Sequence, residues 1–204
     1  MKIIGLHAEI IADQIRRLFA KKGYVFFDGD RSFNVNIVGI RSANPRSGKF
    51  DDALLVIQRS ASKQWEVYSY RVTTDPGTYY LKSPMNVKGT AILVPGQYRS
   101  AYEIGTHKTY DALIQRSGAV KVWRDADRDD VLDWDEGHIH EGYYGINIHR
   151  SKRGGESESV GRWSAGCQVF KNSGDFDEFM GLCERSSGKY GNKFTYTLIR
   201  QSDT

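Results

Sequence analysis

The sequence has little of what builds disulfide scaffolds, rigid linkers or membrane spans. Its 2 cysteines allow at most one disulfide bridge, so a cysteine-rich scaffold is excluded. Only 4 prolines accompany 21 glycines, which favours turns over proline-rich linkers between the elements. No stretch of the chain approaches the ~20 consecutive apolar residues that a transmembrane helix needs. We therefore expect no transmembrane segment and no disulfide framework.

The N-terminus also lacks the uninterrupted apolar core of a secretory signal peptide. Charged side chains at Glu9, Asp13, Arg16 and Arg17 break up the apolar stretch there. We therefore expect a protein that is made in the cytoplasm without a signal peptide and that needs another route to any work outside it.

What the sequence does contain is typical of a folded domain with a mildly basic surface. Hydrophobic residues make up 39% and aromatic residues 12% of the 204 residues, which is enough for a core. The 29 lysines and arginines exceed the 25 acidic residues, and the net charge of +4 suits an anionic partner. The basic residues are dispersed and form no nucleic-acid-binding motif, so we expect no nucleic-acid partner.

The hydrophobic pattern predicts a mainly β (α+β) protein with a helix near each end. Apolar residues recur at helical spacing before Gly23, and again over residues 174–185. Short runs of β-type composition lie between the two helices and after the second one. The predicted strands are residues 24–27, 33–40, 53–58, 65–72, 91–94, 119–123 and 194–199. We divide the chain into an N-terminal helix and cap region, residues 1–35, and a main domain, residues 36–204.

A histidine and a cysteine with complementary chemistry lie near each other in the sequence. Apolar Ile146 and Ile148 alternate with polar residues, which predicts a strand that ends at His149. A polar loop then leads to the sequence Ser-Ala-Gly-Cys, which ends at Cys167. The glycine before the cysteine permits a sharp turn that frees backbone N–H groups to hold an oxyanion. A nearby imidazole is a common means of activating a thiol near neutral pH.

This arrangement resembles the catalytic signature of the L,D-transpeptidases of bacterial cell walls (YkuD type), in which a histidine is followed, after a variable loop, by Ser/Thr-x-Gly-Cys. The separation between His149 and Cys167 lies within the range of that family. The resemblance implies that Cys167 is the nucleophile, that His149 is its base, and that the backbone carbonyl of Arg150 orients the imidazole. It further implies that Ser164 and Gly166 shape the turn before the nucleophile.

The same resemblance implies an L,D-transpeptidase-like β-sandwich or barrel, with residues 36–204 as the catalytic domain. The Cys167 N–H is then one donor to the oxyanion, and a hydroxyl from Tyr143 or Tyr144 is a candidate second donor. Tyr143, Tyr144 and Trp163 are the candidate substrate-binding residues.

Two positions depart from the usual family pattern. Ala165 stands where most members have a second histidine, and Val169 replaces the usual arginine or asparagine two residues after the cysteine. The sequence Trp-Ser-Ala-Gly-Cys-Gln-Val-Phe resembles more closely a divergent branch found in phage and prophage genomes. Residues 36–41, 73–77 and 88–98 also resemble that branch.

The resemblance therefore implies an enzyme that acts on peptidoglycan stem peptides through a thioester acyl-enzyme. The bond attacked joins the L-centre of diaminopimelate or lysine to the following D-alanine. The phage-like branch favours hydrolysis by an endolysin-like peptidase that reaches the cell wall after lysis, holin release or injection. A true L,D-transpeptidase or D-amino-acid exchange enzyme is the first alternative, and a non-catalytic cell-wall-binding or virion structural module is the second.

An acidic segment, residues 125–136, has the spacing of the twelve-residue calcium loop. The candidate ligands are the side chains of Asp125, Asp127, Asp129, Asp133 and Glu136 and the backbone carbonyl of Val131. Leu132 supplies the usual apolar residue, whereas Asp130 replaces the usual glycine of the turn. The alternative is a solvated hairpin tip neutralised by Arg124 and Arg128. Calcium would be structural, because thiol chemistry requires no cofactor.

The remaining histidines and the second cysteine receive simpler interpretations. His138 and His140 lie two positions apart on a predicted strand, so they share a face and form a weak candidate for a transition-metal site. Surface or cleft-lining histidines are the alternative. Cys183 falls on the apolar face of the second predicted helix, where we expect a core residue.

Overall fold

A computed structural model describes residues 1–134 and 138–204 of the chain. The strands in these residues are β1 Lys2–Ile4, β2 Asn36–Arg41, β3 Asp52–Arg59, β4 Trp65–Thr73, β5 Thr90–Leu93, β6 Gly96–His107, β7 Tyr110–Gln115, β8 Val120–Asp125, β9 His140–Gly142, β10 Ile148–Arg150, β11 Gln168–Phe170 and β12 Phe194–Arg200. The α-helices are α1 Leu6–Lys22, α2 Thr78–Lys82 and α3 Ser173–Tyr190. The prediction of a mainly β protein is confirmed.

Most of the strands form one sheet that closes on itself. Its order is β1-β4-β11-β10-β7-β6-β12-β2-β3, and β3 also pairs with β4. Because this additional pairing joins the last strand of the order, β3, to the second, β4, the strands from β4 round to β3 form a barrel. Strand β1 pairs with one half of β4 and β11 with the other half, on the edge opposite β3. A smaller sheet has the order β5-β8-β9.

Both faces of the barrel wall carry apolar side chains. In β3, Leu54 and Val56 belong to the main core, which also contains the apolar face of α3. Leu55 and Ile57 point the other way and pack with the buried face of α1. Alternate residues of a strand face opposite sides of the sheet, so a strand that is covered on both sides is apolar throughout. Cys183 is fully buried in the main core and forms no disulfide, as expected.

The N-terminal segment packs directly on the barrel. Strand β1 pairs with β4, and Ala8, Ala12, Ile15 and Phe19 form the buried face of α1. Gly23 ends the helix in the left-handed conformation, with φ of 71°. The division between residues 1–35 and 36–204 stays a prediction.

The predicted strand at residues 24–27 is wrong. The N–H and carbonyl of Val25 bond to the side-chain amide of Gln97, at 2.9 and 2.8 Å. The N–H and carbonyl of Phe27 bond in the same way to the side chain of Asn36, at 2.8 and 3.1 Å. Side-chain amides therefore satisfy the backbone groups that a neighbouring strand would otherwise have to satisfy.

None of the helices in the described residues is long and apolar enough to cross a membrane.

The buried face of α1 is expected to contribute to the stability of the whole barrel. Phe19 is 1% exposed, and its ring makes edge contacts with Tyr24 and Phe26. We expect Phe19→Ala to lower the free energy of unfolding by about 3–5 kcal/mol, as a large cavity in a core does. Leu6→Ala, at an exposed position of the same helix, should change it by less than about 0.5 kcal/mol. Urea unfolding measures both, and equal effects would contradict this packing.

Candidate active site

A short parallel ladder brings the histidine and the cysteine to one face of the sheet. Strands β10 and β11 pair in parallel, with His149 opposite Val169. Directly opposed residues point to the same side, and so do residues two positions apart. Cys167 precedes Val169 by two positions and packs against the cluster that contains it. The imidazole and the thiol therefore lie on the same face, diagonally across two neighbouring strands.

The turn before the cysteine is fixed by its own hydrogen bonds. The buried Ser164 hydroxyl donates to the Cys167 carbonyl at 2.8 Å and accepts from the Gly166 N–H at 3.1 Å. Gly166 has φ of +121°, and a Cβ there would lie 2.5 Å from the carbonyl oxygen of Ala91. Both the backbone conformation and the close approach therefore require glycine.

The buried side chain of Gln168 supports the turn before Cys167 through hydrogen bonds that the sequence analysis did not predict. Its side chain is fully buried, and its Oε1 accepts a hydrogen bond of 2.8 Å from the hydroxyl of Tyr196 on β12. Its Nε2 donates to the carbonyl of Gly166 at 3.3 Å. The position of Cys167 is thus tied to a strand on another part of the barrel.

The geometry of His149 leaves one ring nitrogen free to accept a proton. The ring is 3% exposed, and Nδ1 lies 2.8 Å from the backbone carbonyl oxygen of Arg150. Since a carbonyl only accepts, Nδ1 carries the proton and donates, and Nε2 holds the lone pair. Burial, with the charge of His107 as a second cause, lowers the pKa of His149 to about 3. The imidazole is therefore neutral at neutral pH.

Two side chains from the hairpin between β6 and β7 support this imidazole. The ring of His107 stacks on that of His149, with centroids 4.3 Å apart. The hydroxyl of Tyr110 donates to the Arg150 carbonyl at 3.3 Å and lies 3.5 Å from His149 Nδ1. Asn147 in turn contacts His107 Nδ1 at 3.1 Å. Sequence reasoning missed His107 and Tyr110 because it did not predict this hairpin.

The thiol of Cys167 is protonated at neutral pH. Its side chain is partly exposed, and its sulfur donates a hydrogen bond to the Gly145 carbonyl at 3.4 Å. Burial raises the pKa of the thiol to about 11, although the backbone N–H of Asn147 and the charge of Lys108 oppose the shift. A neutral thiol and a neutral imidazole can act together only if the proton moves as the sulfur attacks.

The backbone beside the sulfur has an available hydrogen-bond donor. The N–H of Gly166 is bound by Ser164, and that of Gln168 donates to the Asn147 carbonyl at 2.9 Å. Between them, the Cys167 N–H donates to no acceptor within residues 1–134 and 138–204. It is therefore free to bind an oxyanion that forms next to the sulfur.

A cavity of about 340 Å³ reaches the turn before Cys167 at Ala165, although Cys167 and His149 do not line it. Tyr143 and Tyr144 line it together with Ala165, two residues before the cysteine. Arg124, which sequence reasoning did not include in the substrate site, lines the same cavity. Its guanidinium lies 4.9 Å from the centre of the Tyr144 ring and donates to the Gly89 carbonyl at 3.1 Å. The Arg124 Nε is buried and has no hydrogen-bond partner in the part of the chain that the structure describes.

Trp163 does not line this cavity. It is 39% exposed, in the loop between β10 and β11, where its backbone N–H donates to the Val160 carbonyl at 2.8 Å. Its assignment as a substrate-binding residue stays a prediction, as does the assignment of Tyr143 or Tyr144 as an oxyanion donor.

The acidic loop brings together some of the predicted calcium ligands. Carboxylate oxygens of Asp125, Asp127 and Asp133 all lie within 4.8 Å of one another. Asp129 is not in this group, and its Oδ1 accepts a hydrogen bond of 2.6 Å from the Val131 N–H. The Val131 carbonyl stays a predicted ligand. Burial raises the pKa of Asp125 to about 6.

The remaining candidate metal ligands are Glu136, His138 and His140. Glu136 lies outside the described residues. The rings of His138 and His140 meet edge to face, with centroids 5.2 Å apart. Neither histidine belongs to a group of three possible metal ligands among residues 1–134 and 138–204.

Comparisons with protein-family models, with curated proteins and with solved structures find no match to this chain. The likeness to L,D-transpeptidases therefore stays a resemblance, based on the histidine, the cysteine and the residues around them. Function has to be inferred from that motif and from the geometry of the site.

The raised pKa of Cys167 has a direct consequence for its reactivity. Only the thiolate reacts with iodoacetamide, and raising the pKa to about 11 reduces the thiolate fraction at neutral pH. We expect slow labelling near pH 7 and a rate that keeps rising up to about pH 10. Mass spectrometry of the Cys167 peptide measures the rate, with the buried Cys183 as an internal control. A rate that is already constant near neutral pH would show a thiolate–imidazolium pair instead.

Proposed function

We propose that this protein is a cysteine-dependent peptidoglycan peptidase of the L,D-transpeptidase type. It hydrolyses the bond between the L-centre of the third stem residue, diaminopimelate or lysine, and the following D-alanine. The observation that carries the proposal is the hydrogen bond from His149 Nδ1 to the Arg150 carbonyl, on the face that Cys167 shares. It leaves Nε2 as a base on the face of the sheet that also carries the partly exposed thiol.

In the first half-reaction, the sulfur of Cys167 forms a bond to the carbonyl carbon while its proton passes to His149 Nε2. The carbonyl oxygen takes up negative charge, and the free Cys167 N–H binds it. The carbon–nitrogen bond then breaks, and the proton on His149 goes to the departing D-alanine amine. The peptide stays on the enzyme as a thioester.

In the second half-reaction, water attacks the thioester carbonyl and gives its proton to His149. The carbon–sulfur bond breaks, the proton returns to the sulfur, and the stem leaves with a new carboxylic acid. An amine acceptor in place of water would give transpeptidation or D-amino-acid exchange. The enzyme would meet its substrate at the cell wall after lysis, holin release or injection.

We assign to Arg124 the binding of a carboxylate of the stem peptide. The usual position for this task in the family holds Val169 here, whose side chain is fully buried against Phe50 and Val160. Arg124 instead presents a guanidinium in the cavity beside Ala165, with a buried Nε that lacks a partner among the described residues. Guanidinium groups bind carboxylates in paired hydrogen bonds.

A digest of purified peptidoglycan tests the reaction. We expect the wild type to trim tetrapeptide stems to tripeptides on diaminopimelate-type or lysine-type walls, as measured by mass spectrometry of the muropeptides. Cys167→Ala should abolish trimming because it removes the nucleophile, and His149→Ala should slow it by on the order of a hundredfold. Circular dichroism checks that both variants fold. Trimming that survives Cys167→Ala would disprove the mechanism.

The same digest separates the alternatives. Incorporation of an added D-amino acid into the stems would identify the transpeptidase or exchange enzyme. Ala165 and Val169, which stand where most family members have a histidine and an arginine or asparagine, give the non-catalytic module its support. That alternative requires a wild type that sediments with cell walls and leaves every stem intact.

The Arg124 assignment makes its own prediction. Arg124→Gln should lower kcat/KM for stem peptides by roughly 10- to 100-fold, because a charged hydrogen bond to the substrate is lost. Arg99→Gln removes the same charge from an exposed position of β6 and should leave kcat/KM unchanged. Steady-state kinetics on a soluble stem peptide measures both. Equal effects of the two variants would remove Arg124 from the substrate site.

A further inference from the structure

The loop that follows β8 contains a buried carboxylate with an unsatisfied oxygen. Asp125 is the last residue of β8, and its side chain is 0% exposed. Its Oδ2 accepts a hydrogen bond of 3.2 Å from the Asp133 N–H. Its Oδ1 is buried and has no hydrogen-bond partner within residues 1–134 and 138–204. A buried polar atom without a partner is costly, so a missing ligand is the natural explanation.

Two further carboxylates converge on Asp125. Oxygens of Asp125, Asp127 and Asp133 lie within 4.8 Å of one another. Calcium binds oxygen at about 2.3–2.6 Å, so two of its ligands can be separated by up to about 5 Å. The three oxygens are therefore close enough to share one ion without rearrangement of the backbone.

The nearby Arg124 and Arg46 are engaged elsewhere and do not neutralise Asp125 or Asp127. Arg124 is directed to the Gly89 carbonyl and the Tyr144 ring, and Arg46 forms its salt bridge with Asp130, at 2.9 Å. No lysine or arginine of the described chain forms a salt bridge with Asp125 or Asp127. Carboxylates in such proximity repel one another unless a cation is present.

We propose that this loop binds one Ca²⁺ through Asp125, Asp127 and Asp133. All three side chains offer oxygen, which excludes a preference for the softer metals that select nitrogen or sulfur. Calcium tolerates irregular geometry, whereas Mg²⁺ demands a near-ideal octahedron. The site is independent of the proposed peptidase reaction, since none of its three aspartates takes part in the reaction of Cys167.

The surrounding structure holds the loop in place for the ion. The Leu132 N–H donates to the Pro45 carbonyl at 2.8 Å, and the Ser47 N–H donates to the Asp130 carbonyl at 3.0 Å. The side chain of Leu132 is buried next to Trp123 of β8. The ion would thus join the end of β8 to a loop segment that is already fixed at its far side.

Titration of the chelator-treated full-length protein tests the proposal. We expect one Ca²⁺ to bind with a Kd of about 10⁻⁵ to 10⁻³ M by calorimetry, and to raise Tm. Asp127→Asn, at an exposed position, should weaken binding at least about tenfold. Asp125→Asn should do the same. Asp130→Asn, in the same loop but paired with Arg46, is the matched control and should change Kd by less than about threefold.

Three results would overturn the proposal. These are the absence of saturable Ca²⁺ binding up to about 10 mM, equal loss of affinity in the Asp127 and Asp130 variants, and equally tight binding of Mg²⁺. Because these measurements need no enzymatic turnover, failure of the peptidase proposal would leave them unaffected.

Discussion

The closed sheet depends on a parallel ladder of three residues between β10 and β11. Strand β10 pairs with β7 through one residue pair, Ile148 with Leu113, and β11 pairs with β4 through two. The other neighbouring strands of the barrel pair over longer stretches. Few backbone hydrogen bonds hold this section of the barrel, so buried side chains must contribute more to its stability. Gln168, bonded to Tyr196 inside the barrel, and Phe170, packed in the core, provide that support. The section that closes the fold is thus the section that positions the thiol and the imidazole.

The fold was predictable where burial leaves a strong pattern in the sequence. Helices α1 and α3 and strands β3 and β4 show apolar residues at the expected period, and all were predicted. Strands β6 and β7 were missed because β6 is long and partly exposed, so that polar residues interrupt its apolar pattern. The opposite error occurred at residues 24–27, whose aromatic composition resembles a strand. There the amides of Gln97 and Asn36 take the hydrogen bonds, and no composition rule anticipates such long-range partners.

The candidate site was likewise predictable only in part. The bond between His149 and the Arg150 carbonyl and the turn at Ser164 are local, so the motif was enough to expect them. The supporting residues His107 and Tyr110 come from a hairpin far along the chain, and only the folded barrel brings them to the imidazole. In the acidic loop, spacing alone could not show that the Asp129 side chain bonds to the loop's own backbone.

The Gly166 turn has a consequence for how such motifs are read. A side chain there would collide with the backbone of Ala91 in the smaller sheet, so the glycine is required by packing whether or not the cysteine reacts. A protein with this fold would need Gly166 even if its cysteine did not react, and would still resemble an enzyme in that part of its sequence. For such a protein, the informative positions are those that the fold does not require for its own stability. The partly exposed thiol of Cys167 is the first of them.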